Sequence, residues 1–323
     1  MAINLKNIKP HKISKDLSGY TIYIYGQGGV GKTTFACEIP HSMLFAFEHG
    51  YGALNVEMPV DINTWTDIKT ILRQLDDPEI KENYPIIIVD TVDKAAALCE
   101  KYTCNQLGIE NIGDGGWGVN GWAKVKKEWE NTWNTIQMKG YTLVFISHAK
   151  DKTFKRKDGT EYNQIIPACP TVYNEIVRNL VDIEAYAMID NGYRKLIIRN
   201  QDDTIECKSR IKYIPTEVDF SYKALSNAIS EAIAEEERIK GSDAVTTERE
   251  VFNSAEPTYD YDALMKEFNS IAQTLMEKNQ SNGLKITAVV ENYLGKGKKV
   301  VETNPSQAEF IYLINEELKS SLM

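Results

Sequence analysis

Residues 20–34 read YTIYIYGQGGVGKTT, and this stretch decides the fold. Tyr20–Tyr25 is a β-like apolar run, Gly26–Thr34 fits the pattern GxxxxGK[ST], and the FACEI that follows suits a helix. Phosphates need backbone amides that converge on their oxygens, and glycines let a chain turn tightly enough to present them. Gly26, Gln27, Gly28, Gly29, Val30, Gly31, Lys32, Thr33 and Thr34 are therefore the expected nucleotide cradle. Lys32 should bring its charge to the β and γ phosphates, and Thr33 a hydroxyl ligand for Mg2+. A strand, a glycine loop and a helix in that order imply a nucleoside triphosphate, read as ATP, with Mg2+.

Working outward, Tyr84–Asp90 (YPIIIVD) is an apolar strand ending in a carboxylate, which is how such folds hold the magnesium-bound water shell. Asp90 is thus the second metal-site residue. Its neighbour is Thr91 where many ring-forming ATPases carry a basic Glu, so the base must come from elsewhere. Glu48 ends the run Met43–Phe47, and neighbouring parallel strands end on one rim, so Glu48 can face the γ-phosphate beside Asp90.

Further strand-like runs at Tyr141–Ser147, Asp182–Ile189 and Lys195–Arg199 alternate with helical intervals, which predicts an α/β fold with a mostly parallel sheet. The expected organisation is an arm over 1–18, a core over 19–234, an acidic linker over 235–258 and a small helical unit over 259–323. Leu264, Phe268, Ile271 and Leu275 show helical spacing in that unit, and Ser306 with Glu309 reads as a capping box. Gly295–Lys299 reads as a solvated turn.

The 323 residues are 42% hydrophobic and 26% charged, which excludes collagen-like, mucin-like and wholly disordered classes. No apolar run reaches the roughly 18 residues a membrane span needs, and no signal-peptide pattern opens the chain, so a cytoplasmic protein without a membrane partner is expected. Five cysteines without a CxxC pair match neither a disulfide framework nor a zinc site. A net charge of -9 argues against indiscriminate polyanion binding, so any nucleic-acid contact needs a local basic patch.

Phe47-Glu48-His49, Val89-Asp90-Thr91-Val92 and the strand end Ile146-Ser147-His148 together resemble the RecA-like recombinase ATPases over roughly residues 19–215. The resemblance implies a RecA-like P-loop NTPase core, ATP hydrolysis with Glu48 catalytic, and His148 as γ-phosphate sensor where the family usually has Gln. More narrowly, the small terminal appendages look like phage-encoded Sak-type single-strand annealing proteins. That likeness implies annealing or strand exchange on single-stranded DNA by a homo-oligomer, ring or helical filament. It also implies a host-cytoplasm setting and a single-strand binding protein as a further partner.

Lys150, Lys152, Lys155, Arg156 and Lys157 follow His148, interleaved with Phe154, at the position of the family's second DNA loop. Basic residues with aromatics suit single strands, and a solvated hairpin turning at Asp158-Gly159 fits the same residues. The glycine-rich segment 108–122 occupies the first loop position, with Trp117 as a base-stacking candidate and Trp122, Trp129 and Trp133 as core. Lys208 and Arg210 resemble the family's Lys-x-Lys pair, which reaches a neighbouring subunit's ATP; a basic surface strand is the other reading. A regulatory or loading ATPase acting on a protein is the alternative function. A small-molecule kinase would need an arginine-rich lid, which the chain lacks.

Overall fold

The computed structural model describes residues 9–114, 118, 120–200, 202–249 and 259–320, which fall into two units, Met1–Ser254 and Ala255–Met323. In the first unit the strands are β1 (Ile13–Ser14), β2 (Ile22–Gly26), β3 (Ser42–Ala46), β4 (Met58–Asp61), β5 (Ile86–Asp90), β6 (Thr142–Lys155), β7 (Glu161–Pro167), β8 (Ile183–Asp190), β9 (Tyr193–Ile197), β10 (Lys208–Ser209), β11 (Glu217–Asp219) and β12 (Val245–Thr246). Its helices are α1 (Lys32–Cys37), α2 (Trp65–Gln74), α3 (Pro78–Asn83), α4 (Val92–Leu107), α5 (Gly121–Met138), α6 (Thr171–Leu180) and α7 (Tyr222–Lys240).

The main sheet runs β11-β9-β8-β2-β6-β5-β3-β4, with β10 on β8 and β7 on β6. Pairings from β8 through β4 are parallel, and those of β9, β10, β11 and β7 are antiparallel. Period-two alternation sends Tyr23, Met43, Ile87 and Leu143 to one face and Ile24, Leu44, Ile88 and Val144 to the other. Both faces are covered, which is why these strands read as continuous apolar runs. Trp65, Trp129 and Trp133 fill the first face, Trp65 stacked on Trp129 and Trp133 edge-on to both. Phe35 of α1 and Leu225, Ile229 and Ile233 of α7 fill the second. Trp122 departs from expectation. It is 51% exposed, because the buried stripe of α5 runs through Gly121, Val125, Trp129, Trp133 and Ile136, and Trp122 lies off that stripe.

The expected linker over 235–258 starts too early. Glu235–Lys240 complete α7, and Val245 and Thr246 pair with Ile13 and Ser14. Arg249 then donates to the carbonyls of Gly140 and Pro85 at 3.1 Å each and to Thr142 Oγ1 at 2.6 Å. Charged residues on an outward helix face, and an arginine spent on backbone carbonyls, make a packed segment look like a linker. The 1–18 arm likewise includes β1 of the first unit.

The second unit comprises α8 (Tyr261–Lys278), α9 (Asn282–Leu294) and α10 (Ala308–Ser320) around Ile271, Leu275, Val290, Ile311, Ile314 and Leu318. The capping box here is Asn304 with Gln307, not Ser306 with Glu309. Asn304 Oδ1 accepts from Ser306 N at 3.0 Å, and Gln307 Oε1 accepts from Asn304 N at 3.3 Å. A short 3-10 turn over Pro305–Gln307 precedes α10 and moves the cap two residues upstream.

Candidate functional site

β2 ends at Gly26, and the chain turns through Gln27–Gly31 into α1. Gly26 is required by packing: a Cβ there would stand 2.4 Å from the Ala187 carbonyl oxygen of β8. Gly31 is required by conformation, since it caps α1 with φ 105°, in the left-handed region that side chains avoid. Lys32 is buried and donates to the carbonyls of Gly26 at 2.8 Å and Gln27 at 2.9 Å. Burial lowers its pKa below the usual ammonium range, and Asp90, Asp93 and Glu48 oppose that shift. A phosphate would reinforce those carboxylates in keeping Lys32 charged.

Thr33 Oγ1 donates to Asp90 Oδ2 at 2.7 Å. Asp90 is buried at the end of β5, and desolvation raises its pKa; Glu48 adds to the rise, while Thr33, Lys32 and His148 counter it. Among the described residues no cluster of three or more His, Cys, Asp or Glu could hold a metal alone. One carboxylate and one hydroxyl at contact distance nevertheless fit Mg2+, which takes one or two protein oxygens plus phosphates and waters. Thr33 and Asp90 are the residues that would hold it.

Glu48 reaches Asp90 because β3 and β5 are neighbours. Phe47 N and Glu48 N both donate to the Asp90 carbonyl, at 2.7 and 3.3 Å. Glu48 Oε1 accepts from Thr91 Oγ1 at 3.1 Å and lies 3.5 Å from His148 Nε2. His148 stands opposite Gly26 in the β2–β6 register. Asp93, in the first turn of α4, accepts from His148 N at 2.9 Å and from the Ser147 hydroxyl, tying β6 to the start of that helix. Asp93 escaped the sequence reading; its signal was a second Asp three residues after Asp90.

After His148 the chain does not leave the sheet for a loop. β6 continues to Lys155 and returns through β7, with Phe154 opposite Tyr162. The basic residues have separate roles. Lys150 donates to the Ala168 carbonyl at 2.9 Å, Arg156 pairs with Asp203 and covers the Tyr162 ring, and Lys152 covers Phe154. Strand alternation puts Lys150, Lys152 and Phe154 on one face and Lys155 on the other, with Lys157 in the turn. Tyr25, just before the phosphate loop, donates to the Ile165 carbonyl of β7 at 3.1 Å and to the Glu206 carbonyl at 2.5 Å. Trp117 lies outside the described residues.

Lys208 and Arg210 have partners in their own chain. Lys208 donates to the Arg178 carbonyl, and Arg210 to the Asn179 carbonyl at 2.7 Å and to Asp182 at 3.1 Å. They hold the C-terminal end of α6, level with the start of β2 and not with its phosphate-loop end. A reach to a neighbour's nucleotide would have to break these bonds. The five cysteines are all free, with Cys99, Cys104 and Cys169 buried. Among the described residues no helix is long and apolar enough to cross a membrane.

The phosphate-loop strand is separated from the Asp90 strand by one inserted strand, β6, and is flanked by β8 on its other side. Residues 18–211 match the AAA domain family (AAA_24), a span that contains every catalytic and metal candidate above. The chain is 30% identical over 330 residues to the SPbeta prophage-derived uncharacterized protein YorG of Bacillus subtilis (strain 168), covering 100% of this chain and 99% of that one. A KaiC-like protein of known structure from Pyrococcus horikoshii OT3 aligns with 58% of this chain and 82% of its own, at 14% identity and a TM-score of 0.31.

Proposed function

The chain belongs to the AAA domain family, and on that premise we propose a magnesium-dependent ATPase that assembles as a homo-oligomer on single-stranded DNA and promotes annealing or strand exchange. The prophage origin of its Bacillus relative supports a phage setting; a single-strand binding protein is a further partner in this proposal. In hydrolysis to ADP and phosphate, Lys32 and the amides of the loop hold the β and γ phosphates. Glu48, oriented by Thr91, accepts the proton of the attacking water. Thr33 and Asp90 would hold Mg2+, which would supply positive charge to the phosphate oxygens. His148 stands 3.5 Å from Glu48 and can donate to the γ-phosphate or to Glu48 itself.

One observation carries the DNA reading: a single strand, β6, bears both His148 at the catalytic carboxylate and the basic, aromatic hairpin. A change at the γ-phosphate therefore has a direct mechanical route to Lys152, Phe154, Lys155 and Lys157, and Tyr25 braces β7 from the phosphate-loop strand. Exposed Trp122 adds a stacking surface near the first loop position.

A double variant, Lys155→Ala with Lys157→Ala, tests the interface. The log–log salt slope of single-strand binding should shrink by roughly 0.7 per lysine, with DNA-independent ATPase turnover retained. An unchanged slope and affinity would remove the hairpin from the DNA site. The reading of a protein-directed ATPase is favoured by the second unit, where Leu284 and Val301 are 81% and 77% exposed. ATP turnover indifferent to DNA would select it.

A further inference from the structure

We propose that Arg194 is a nucleotide-binding residue that takes the α-phosphate from within the same chain, an inference that rests on reading Gly26–Thr34 as the nucleotide loop. Arg194 stands on β9, directly across from Ile189 of β8, so both side chains share a face. Two residues deeper on that face, Leu196 and Ala187 pack in the same cluster as Phe35 and Ala36 of α1. The face is the α1 face, and Arg194 lies on its continuation past the sheet rim. The β8–β9 turn, with Asn191 and Gly192 both at positive φ, carries the strands out to that height.

The guanidinium consequently lies against the N-cap of α1. Its Nη1 and Cζ are 3.8 and 3.9 Å from where a Cβ on Gly31 would stand. Two features mark this exposed arginine as a ligand group. Its side chain forms no ion pair or hydrogen bond with any described residue. The next residue, Lys195, is by contrast bound to Asp190 at 3.3 Å and to Glu217 at 3.2 Å, so the carboxylates nearest in sequence are already matched on the other side of the hairpin. An uncompensated guanidinium beside a loop built to hold phosphates is an anion site with its second half missing.

The sheet order says which phosphate. Asp90 and Glu48 end β5 and β3, on one side of β2, while β8 and β9 lie on the other. A triphosphate with its γ-phosphate toward Glu48 therefore extends its α-phosphate and nucleoside toward β8 and β9. Arg194 meets that end of the chain. ADP and ATP share this contact, so Arg194 contributes to holding both and little to the chemical step.

The test uses the full-length protein with Mg2+ and measures binding of fluorescent ADP and a fluorescent non-hydrolysable ATP analogue, together with kcat and KM. Arg194→Ala should raise both Kd values equally, by about 10- to 100-fold for one lost charged hydrogen-bonding pair, and raise KM with kcat within about threefold. Arg194→Lys should recover part of the affinity. Unchanged Kd for both nucleotides overturns the proposal. A loss confined to ATP, with kcat falling with it, would assign Arg194 to the γ-phosphate and overturn the α-phosphate placement. Lys32→Ala separates the premise: wild type that binds no nucleotide, or binds it as well without Lys32, sinks the nucleotide reading itself. Arg194 is exposed, and an unchanged melting curve for Arg194→Ala confirms that the fold is intact.

Discussion

Glu48→Gln isolates one property of the site, because the amide keeps the shape of the carboxylate and loses its basicity. In the structure Glu48 Oε1 accepts from Thr91 Oγ1 at 3.1 Å, and an amide oxygen accepts the same bond. Glu48 makes no hydrogen bond to Lys32 or Thr33, whose partners are Gly26, Gln27 and Asp90. Loop geometry and metal ligation should therefore persist, and Kd for Mg-ATP should stay within about threefold. What disappears is the proton acceptor, and positioned general bases contribute roughly 10²- to 10⁴-fold. At about 1.4 kcal/mol per decade this is about 3–5 kcal/mol on the barrier. One secondary effect has a sign: Glu48 helps raise the pKa of Asp90, so its neutralisation should lower that pKa. The assay is steady-state phosphate release at saturating Mg-ATP, beside equilibrium nucleotide binding. A kcat within about fivefold of wild type, or a Kd that worsens as much as kcat falls, would refute the assignment of Glu48 as base.

Three further outcomes are expected. Trp133→Ala opens a cavity among Trp65, Trp129 and Phe145 and should cost about 3–5 kcal/mol in urea unfolding of the first unit; a cost below about 1 kcal/mol would contradict the packing described. Glu184 is buried against Arg178 at 2.7 Å, and desolvation raises its carboxyl from 4.5 to about 7, so the folded chain holds a proton that the unfolded chain has released. Stability should then fall as pH rises from about 4.5 to 7, by up to about 3 kcal/mol, and Glu184→Gln should flatten that slope in urea midpoints taken at pH 5 and 8; parallel profiles would oppose it. Arg210→Ala should lower stability by about 1 kcal/mol through the lost contacts to Asn179 and Asp182 while keeping ATP turnover; a collapse of kcat with unchanged stability would restore a role across subunits.

Local features were legible in the sequence where a motif carries its own geometry. Gly26–Thr34 could be read because positive-φ glycines and a lysine at fixed spacing leave few alternatives, and Asp90 because a both-faces-buried strand is a continuous apolar run. Glu48 needed one further step, that parallel neighbours end on one rim. Elements that depend on partners distant in sequence were not legible. β4 contains Pro59 and alternates in burial as an edge strand does, so it lacked the apolar run of its neighbours. Arg249 is polar in composition and structural in fact, because its partners lie over a hundred residues away. Helical spacing put Trp122 with the core tryptophans, but the buried stripe of α5 passes through Gly121 and Val125 and leaves Trp122 exposed. Arg194 belongs to no motif, and only the β8–β9 register brings it to Gly31.

The central claim is that nucleotide chemistry at Lys32 and DNA contact along β6 are coupled. The most direct measurement is ATP hydrolysis by wild type and Lys32→Ala, with and without short single-stranded DNA, at two salt concentrations. Coupling predicts turnover strongly stimulated by DNA, weakened at the higher salt and lost in Lys32→Ala. Turnover that depends on Lys32 yet is the same with and without DNA, with no DNA bound in the presence of ATP, would contradict it.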